Sequence, residues 1–237
     1  MVERLKNQNN ANQKYFANQI SLSMKNIKYI SAICFAISVT IIGCKKEDID
    51  SGSLTEKIYI ANEASENITV IDAETNQFAA VIKVANGSGE MLMTHNIQSA
   101  PDGKTVWATV NSMGDVAPDQ VIVIDPLTDE ITKWIDVGVN YGLAHIVLDS
   151  ASNFAYATAT DSNLVVEIDA HSFIVTRTFA LGDEHHPHGL RYSRGKLYVS
   201  NLESNTMSVV TVSDGSIVEL PVGGMAVQSA VTPNGAF

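Results

Sequence analysis

The chain has 237 residues, with 15 Lys and Arg against 26 Asp and Glu, six His and a formal net charge of −11 at pH 7. The first 44 residues hold five of the basic side chains and one of the acidic ones, so the remainder carries ten against twenty-five, a net −15. A surface that acidic repels a polyanion and offers no basic patch with interleaved aromatics, which excludes nucleic acid as a partner and leaves cation affinity as the mild positive inference.

In chain order, residues 1–23 are polar and rich in Asn and Gln, and read as an extension upstream of the true start. Residues 24–43 have a basic start at Lys25 and Lys28, an apolar run from Tyr29 to Ile42 and a small residue before Cys44. By length and polarity this is a secretory signal peptide. That fourteen-residue run falls short of the roughly 20 residues that a membrane-spanning helix needs. Ile41-Ile42-Gly43-Cys44 resembles a bacterial lipobox. The resemblance implies cleavage before Cys44, lipid on its sulfur and amino group, and a protein anchored to a membrane. Residues 44–55 form an acidic tether, and its Lys45, Lys46, Glu47, Asp48 and Asp50 resemble the export tag of Bacteroidota surface lipoproteins. That places the expected domain at the outer membrane, surface-exposed or periplasmic. Cys34 lies in the discarded run and Cys44 is acylated on this reading, so the mature fold has no disulfide and no thiolate metal site.

From residue 56 to 237 one pattern recurs four times: YIANEASENITVID from Tyr59, WATVNSMGDVAPDQVIVID from Trp107, YATATDSNLVVEID from Tyr156 and YVSNLESNTMSVVT from Tyr198. The lead aromatics stand 48, 49 and 42 residues apart, close to the roughly 40–50 residues of a four-stranded propeller blade. Each unit contains two strands with period-two alternation. A third strand follows (FAAVIKV, EITKWIDV, FIVTRTFAL, SIVELPV), and a fourth precedes the next unit (HNIQSAPDGKTVW, HIVLDSASNFAY, HGLRYSRGKLY, VQSAVTPNGAF). Val121 to Ile124 is apolar on both faces, as expected of a sheet covered on both sides. The expected fold class is therefore all-β, a β-propeller of four-stranded antiparallel blades. About four blades are present, in an incomplete ring expected to number six to eight. The first lacks a recognisable innermost strand and the fifth breaks off at Phe237.

SAPDGKTVW, YVSNLESNTMSVV and VIDAETNQ resemble the YVTN family of β-propellers (surface-layer and YncE-like proteins). The resemblance covers residues 57–237 and implies the fold without choosing a function, since propellers of this kind carry binding proteins, lactonases and redox enzymes alike. Asp72, Asp125 and Asp169 close the second strand of their units and are expected to accept hydrogen bonds from the following turn. Tyr59, Trp107, Tyr156 and Tyr198 are expected to pack in the core or between blades.

The chemistry candidates are histidines. His95, His145 and His188 begin the strand that lines a propeller's channel, and imidazole is the commonest ligand for copper and zinc. THNIQSAPDGKTVW loosely resembles the part of the nitrous-oxide reductase propeller that holds copper. Strict alignment puts His145 one place after His95 and His188, on the opposite strand face. The loop DEHHPHGL holds the densest donor cluster, His185, His186 and His188 beside Asp183. The loop insertion with Met113, Asp115 and Asp119, together with Arg191, is the expected rim of a ligand site. Three functions fit these residues. The first is a non-catalytic, lipid-anchored envelope scaffold that binds a protein, glycan or small ligand. The second is a copper- or zinc-binding or redox propeller, and the third a lactonase-type hydrolase.

Overall fold

The computed structural model describes residues 56–114 and 116–232. Cys44, the signal segment, the tether and Asp115 lie outside them.

Among the described residues fifteen strands form four antiparallel sheets. In chain order they are β1 (Lys57–Asn62), β2 (Asn67–Asp72), β3 (Gln77–Lys83), β4 (Leu92–Ser99), β5 (Val106–Ser112), β6 (Asp119–Asp125), β7 (Glu130–Gly138), β8 (Leu143–Leu148), β9 (Phe154–Ala159), β10 (Leu164–Asp169), β11 (Ile174–Ala180), β12 (Pro187–Ser193), β13 (Lys196–Asn201), β14 (Thr206–Thr211) and β15 (Ile217–Pro221). A single 3-10 turn, Glu63–Ser65, links β1 to β2. Three sheets are four-stranded meanders, β4-β5-β6-β7, β8-β9-β10-β11 and β12-β13-β14-β15. The first sheet has three described strands, β1-β2-β3, so one edge of β1 has no strand beside it among the described residues. The innermost strands β4, β8 and β12 touch in succession, β4 on β8 and β8 on β12. The chain is a β-propeller of blade-like sheets.

Burial follows the alternation seen in the sequence. Val121, Ile122, Val123 and Ile124 are all fully buried, because β6 is covered on both faces. One face joins Ile68, Val70 and Ile82 of the first sheet, and the other joins Leu143, Ile146 and Ala157 of the third. The first three lead aromatics turn toward the next sheet. Tyr59 packs on the core of the second sheet and donates from its hydroxyl to Asp129 Oδ1 at 2.6 Å. Trp107 stacks on Phe173 and Tyr156 on Tyr192, both with ring centroids 5.9 Å apart. Tyr198 holds the same place on the fourth sheet and stays half-buried, on the face away from the third.

The turns after β2, β6 and β10 are built alike. Asp72 Oδ1 accepts the amides of Glu74 and Thr75, Asp125 Oδ1 that of Leu127, and Asp169 Oδ1 those of His171 and Ser172. These bonds hold the Asp72 and Asp169 carboxyls below the usual range. Four residues past each Asp the backbone is left-handed, at Asn76, Asp129 and Phe173. A phenylalanine there is unfavourable, and the contact with Trp107 is what holds Phe173 in place.

Candidate functional site

The site is built on a repeated irregularity of the innermost strands. In β4 the pairing with β5 jumps from Thr94↔Val110 to Ile97↔Ala108, so His95 and Asn96 together face the single residue Thr109. In β8 it jumps from Leu143↔Ala159 to Ile146↔Ala157, setting Ala144 and His145 against Thr158. In β12 it jumps from Pro187↔Asn201 to Leu190↔Val199, setting His188 and Gly189 against Ser200. Two residues against one is a β-bulge, which breaks the strict alternation of side chains and re-aims them.

In two of the three bulges the opposing hydroxyl locks the strand. Thr158 Oγ1 accepts the His145 amide at 2.9 Å and donates to the carbonyl of His188 in the next sheet at 2.8 Å. Thr109 Oγ1 accepts the Asn96 amide at 3.0 Å and donates to Ala144 O at 2.9 Å. Asn96 Oδ1 accepts the Ile146 amide, and Asn111 clasps both the amide and the carbonyl of Leu143. These groups were not singled out in the sequence, although a Thr or Ser stands two places after the lead aromatic in three units.

Three imidazoles meet at the bulges. Ring centroids are 4.9 Å apart for His145–His188, 5.4 Å for His95–His188 and 6.1 Å for His95–His145. The expectation that His145 points to the opposite face is corrected. Its one-place offset reverses the side chain on a regular strand, but at the bulge the strict alternation is broken and the ring joins those of His95 and His188. Two rings are oriented by backbone: His95 Nδ1 lies 3.2 Å from Ala144 O, and His188 Nδ1 lies 3.2 Å from Val227 O. A carbonyl only accepts, so each Nδ1 carries a proton, and in the neutral form of either ring Nε2 keeps the lone pair. Burial is the main reason the His145 pKa falls to about 4, helped by His188, His95 and Arg191, so this ring is neutral at pH 7. Burial likewise lowers His188, against the opposing hydrogen bond to Val227 O.

The dense DEHHPH cluster does not converge. Glu184 and His186 have left-handed backbones, which turns successive side chains apart. His185 is paired with Glu219 and with Asp183 O, His186 Nε2 lies 3.5 Å from Glu203, and only His188 reaches the axis. Burial opposes charge on His185, but the Asp183 carbonyl and the Glu219 carboxylate outweigh it and raise its pKa. Among the described residues no group of three or more His, Cys, Asp or Glu, the three axial histidines included, is placed so that it could hold a metal ion.

Two of the expected rim residues, Met113 and Asp119, line one cavity. Asp119 is buried and offers no free carboxylate: Oδ1 accepts the Ser112 amide, and Oδ2 those of Tyr141 and Gly142. It pins the insertion of the second sheet to the loop entering the third. Met113 is exposed and lines a cavity of about 360 Å3 with Met93, Asn111, Asn140 and Asp161. Arg191 is half-buried, donates to Leu190 O at 2.7 Å, and acts on His145 through its charge. A second cavity, of about 480 Å3, opens beside the free edge of β1, between Lys57, Ile58, Tyr59, Ile97 and Val106.

No protein-family model matches the sequence, and no curated protein matches it. Solved structures do. Hydrazine synthase of Kuenenia stuttgartiensis superposes with a TM-score of 0.61 at 19% identity, covering 76% of this chain and 50% of that one. A protein of Bacteroides uniformis provisionally described as a 6-phosphogluconolactonase superposes at 0.61 and 17%, covering 78% and 60%. Virginiamycin B lyase of Staphylococcus aureus superposes at 0.57 and 18%, covering 75% and 53%. The chain thus spans between half and three fifths of the length of these structures, and at such identities the likeness shows the β-propeller fold alone.

Proposed function

We propose that this chain is the binding part of a lipid-anchored envelope β-propeller of the YVTN type, which holds a ligand at its axis without transforming it. The observation that carries the reading is the meeting of His95, His145 and His188, delivered by bulges at one level of three successive sheets. Two of the rings are fixed by backbone carbonyls, so the seat is organised before any ligand arrives and little ordering cost remains for binding. Cys44 supplies the anchor in this reading and the acidic tether the spacing.

The test is a thermal-shift screen of small organic ligands and glycans, run in EDTA on the parent and on His145→Ala. Stabilisation of the parent that the variant loses is the expected result. Replacement of Cys44 by Ala is expected to release the protein from the membrane fraction. A hydrolase is the second reading, favoured by the lactonase-like and lyase-like neighbours and by Glu63, whose Oε1 lies 4.0 Å from His95 Nε2. Turnover of a lactone probe that disappears in Glu63→Gln would establish it in place of the first.

A further inference from the structure

We infer that the ligand of the axial seat presents a primary ammonium group, taken up by the unspent ring nitrogens of His95, His145 and His188 beside the carboxylate of Glu63. This rests on the reading of the bulge cluster as a binding seat. His95 and His188 donate from Nδ1 to Ala144 O and Val227 O, and neither Nε2 makes a hydrogen bond among the described residues. His145 is only 8% exposed, and its bonds to Thr158 run through its backbone, so neither ring nitrogen has a hydrogen-bond partner among the described residues. A neutral imidazole with one nitrogen protonated keeps a lone pair on the other, and burial favours that neutral form in His145 and His188. Lone pairs held out of water without a donor are costly, so the seat is complementary to a group that donates several hydrogen bonds from one atom. An ammonium has three donors and no acceptor.

The spacing suits hydrogen bonds where it does not suit coordination. The rings are not placed to hold a metal ion, whose bonds to nitrogen are about 2.0–2.1 Å long. A hydrogen-bond donor stands about 2.9 Å from its acceptor, hence about 4 Å from a ring centroid. With centroids 4.9, 5.4 and 6.1 Å apart, a point at that distance from all three lies outside their plane, where an ammonium can cap the triangle with its carbon chain directed away. Glu63 Oε1 is 4.0 Å from His95 Nε2, and two acceptors so spaced can both lie about 2.9 Å from one nitrogen. Arg191 acts on His145 through its charge and is spent on Leu190 O, so the cationic end of the ligand belongs on the Glu63 side. The loops at the end of the sheets where β4, β8 and β12 begin hold exposed Glu63, Asp161, Asp183, Glu184 and Glu203 and, among the described residues, no Lys or Arg. Lys104 and Arg194 lie in loops at the opposite end. A rim of one sign draws a cation toward the seat.

The test is a saturation-transfer NMR titration of the full chain, in detergent and EDTA at low salt and pH 7, with butylamine, butan-1-ol and butyltrimethylammonium. The three share one carbon chain, and only the first carries both charge and N–H donors. Butylamine is expected to bind with a dissociation constant of millimolar or below, and the other two at least about tenfold more weakly, because neither can make a charge-assisted hydrogen bond. Glu63→Gln and His145→Ala are each expected to weaken butylamine at least about tenfold, and Glu184→Gln, on the same rim but away from the seat, by less than about twofold. Far-UV circular dichroism confirms that each variant keeps its sheet content. Equal binding of butylamine and butyltrimethylammonium, or butylamine binding unchanged in Glu63→Gln, overturns the assignment, as does absence of butylamine binding to the parent. The screen of small ligands and glycans separates the two readings. A neutral ligand that needs His145 leaves the seat standing and removes the ammonium, whereas failure of both experiments removes the seat itself.

Discussion

The hydroxyl opposite each bulge gives a prediction with its own control. Thr158 is fully buried; its Oγ1 accepts the His145 amide and donates to His188 O, so one atom joins the two strands that carry two of the three imidazoles. Replacing Thr158 by Val keeps the shape and removes both bonds, leaving a buried donor and a buried acceptor unmatched. At about 1–1.5 kcal/mol per bond, and more where the abandoned group stays dry, the cost is about 2–4 kcal/mol. For a domain of this size that lowers Tm by roughly 6–12 °C at the middle of the range. Ser200 occupies the same place opposite the third bulge and is equally buried, yet its Oγ has no partner. Ser200→Ala is therefore expected to lie within about 0.5 kcal/mol of the parent, since no bond is lost. Urea denaturation followed by tryptophan fluorescence measures both. Equal losses in the two variants, or a Thr158→Val loss under about 0.5 kcal/mol, would refute the idea that these hydroxyls lock the bulges.

Three other perturbations follow from the geometry. Asp119→Ala strips the acceptor from the amides of Ser112, Tyr141 and Gly142; with these residues half-buried, a loss of about 2–3 kcal/mol is expected in the urea midpoint, and Asp119→Asn should recover part of it. A Cβ on Gly189 would lie 2.5 Å from Val227 O and 2.8 Å from Gln228 Cα, so Gly189→Ala is expected to push residues 226–230 off β12 and speed amide exchange there, with β8 to β10 unaffected. The raised pKa of His185 has a definite sign: pairing with Glu219 favours the protonated ring, so its stabilisation is complete below the ordinary value of 6.5 and is lost as pH rises through the raised value. The stability difference between the parent and His185→Gln should accordingly shrink between pH 6 and pH 9; a difference that grows over that range would reverse the assignment.

The sheets were legible because their cause is local. Period-two apolar residues, an Asp that accepts its own turn amides, and Gly or Asn where the backbone turns left-handed all act within one hairpin. Packing of Tyr59, Trp107 and Tyr156 in the core or between blades was legible, but its direction toward the following sheet was not, since that sheet is some 45 residues away in sequence. The amides that use Asp119 were hidden for the same reason, since two of the three belong to the loop before β8. The His-rich loop misled in the opposite way, through proximity along the chain. Left-handed residues at Glu184 and His186 separate side chains that adjoin in sequence, while His95, His145 and His188, more than forty residues apart, share one place.

That shared place explains why register failed as a guide. On a regular strand a shift of one residue carries a side chain to the other face, and by that rule His145 cannot join His95 and His188. A bulge sets two residues against one, so either of the pair can serve the axis, and the pairs here are His95 with Asn96, Ala144 with His145 and His188 with Gly189. The unused member still has work to do. Asn96 ties the Ile146 amide, the carbonyl of Ala144 receives both His95 and Thr109, and Gly189 leaves room for the backbone of Val227 and Gln228. A repeat protein can therefore place an axial side chain at either of two sequence positions while the bulge itself stays fixed, as by Thr109 and Thr158 here, from across the sheet. An alignment that demands identical columns will overlook such a site, and one that allows a single-residue offset at the bulge will recover it.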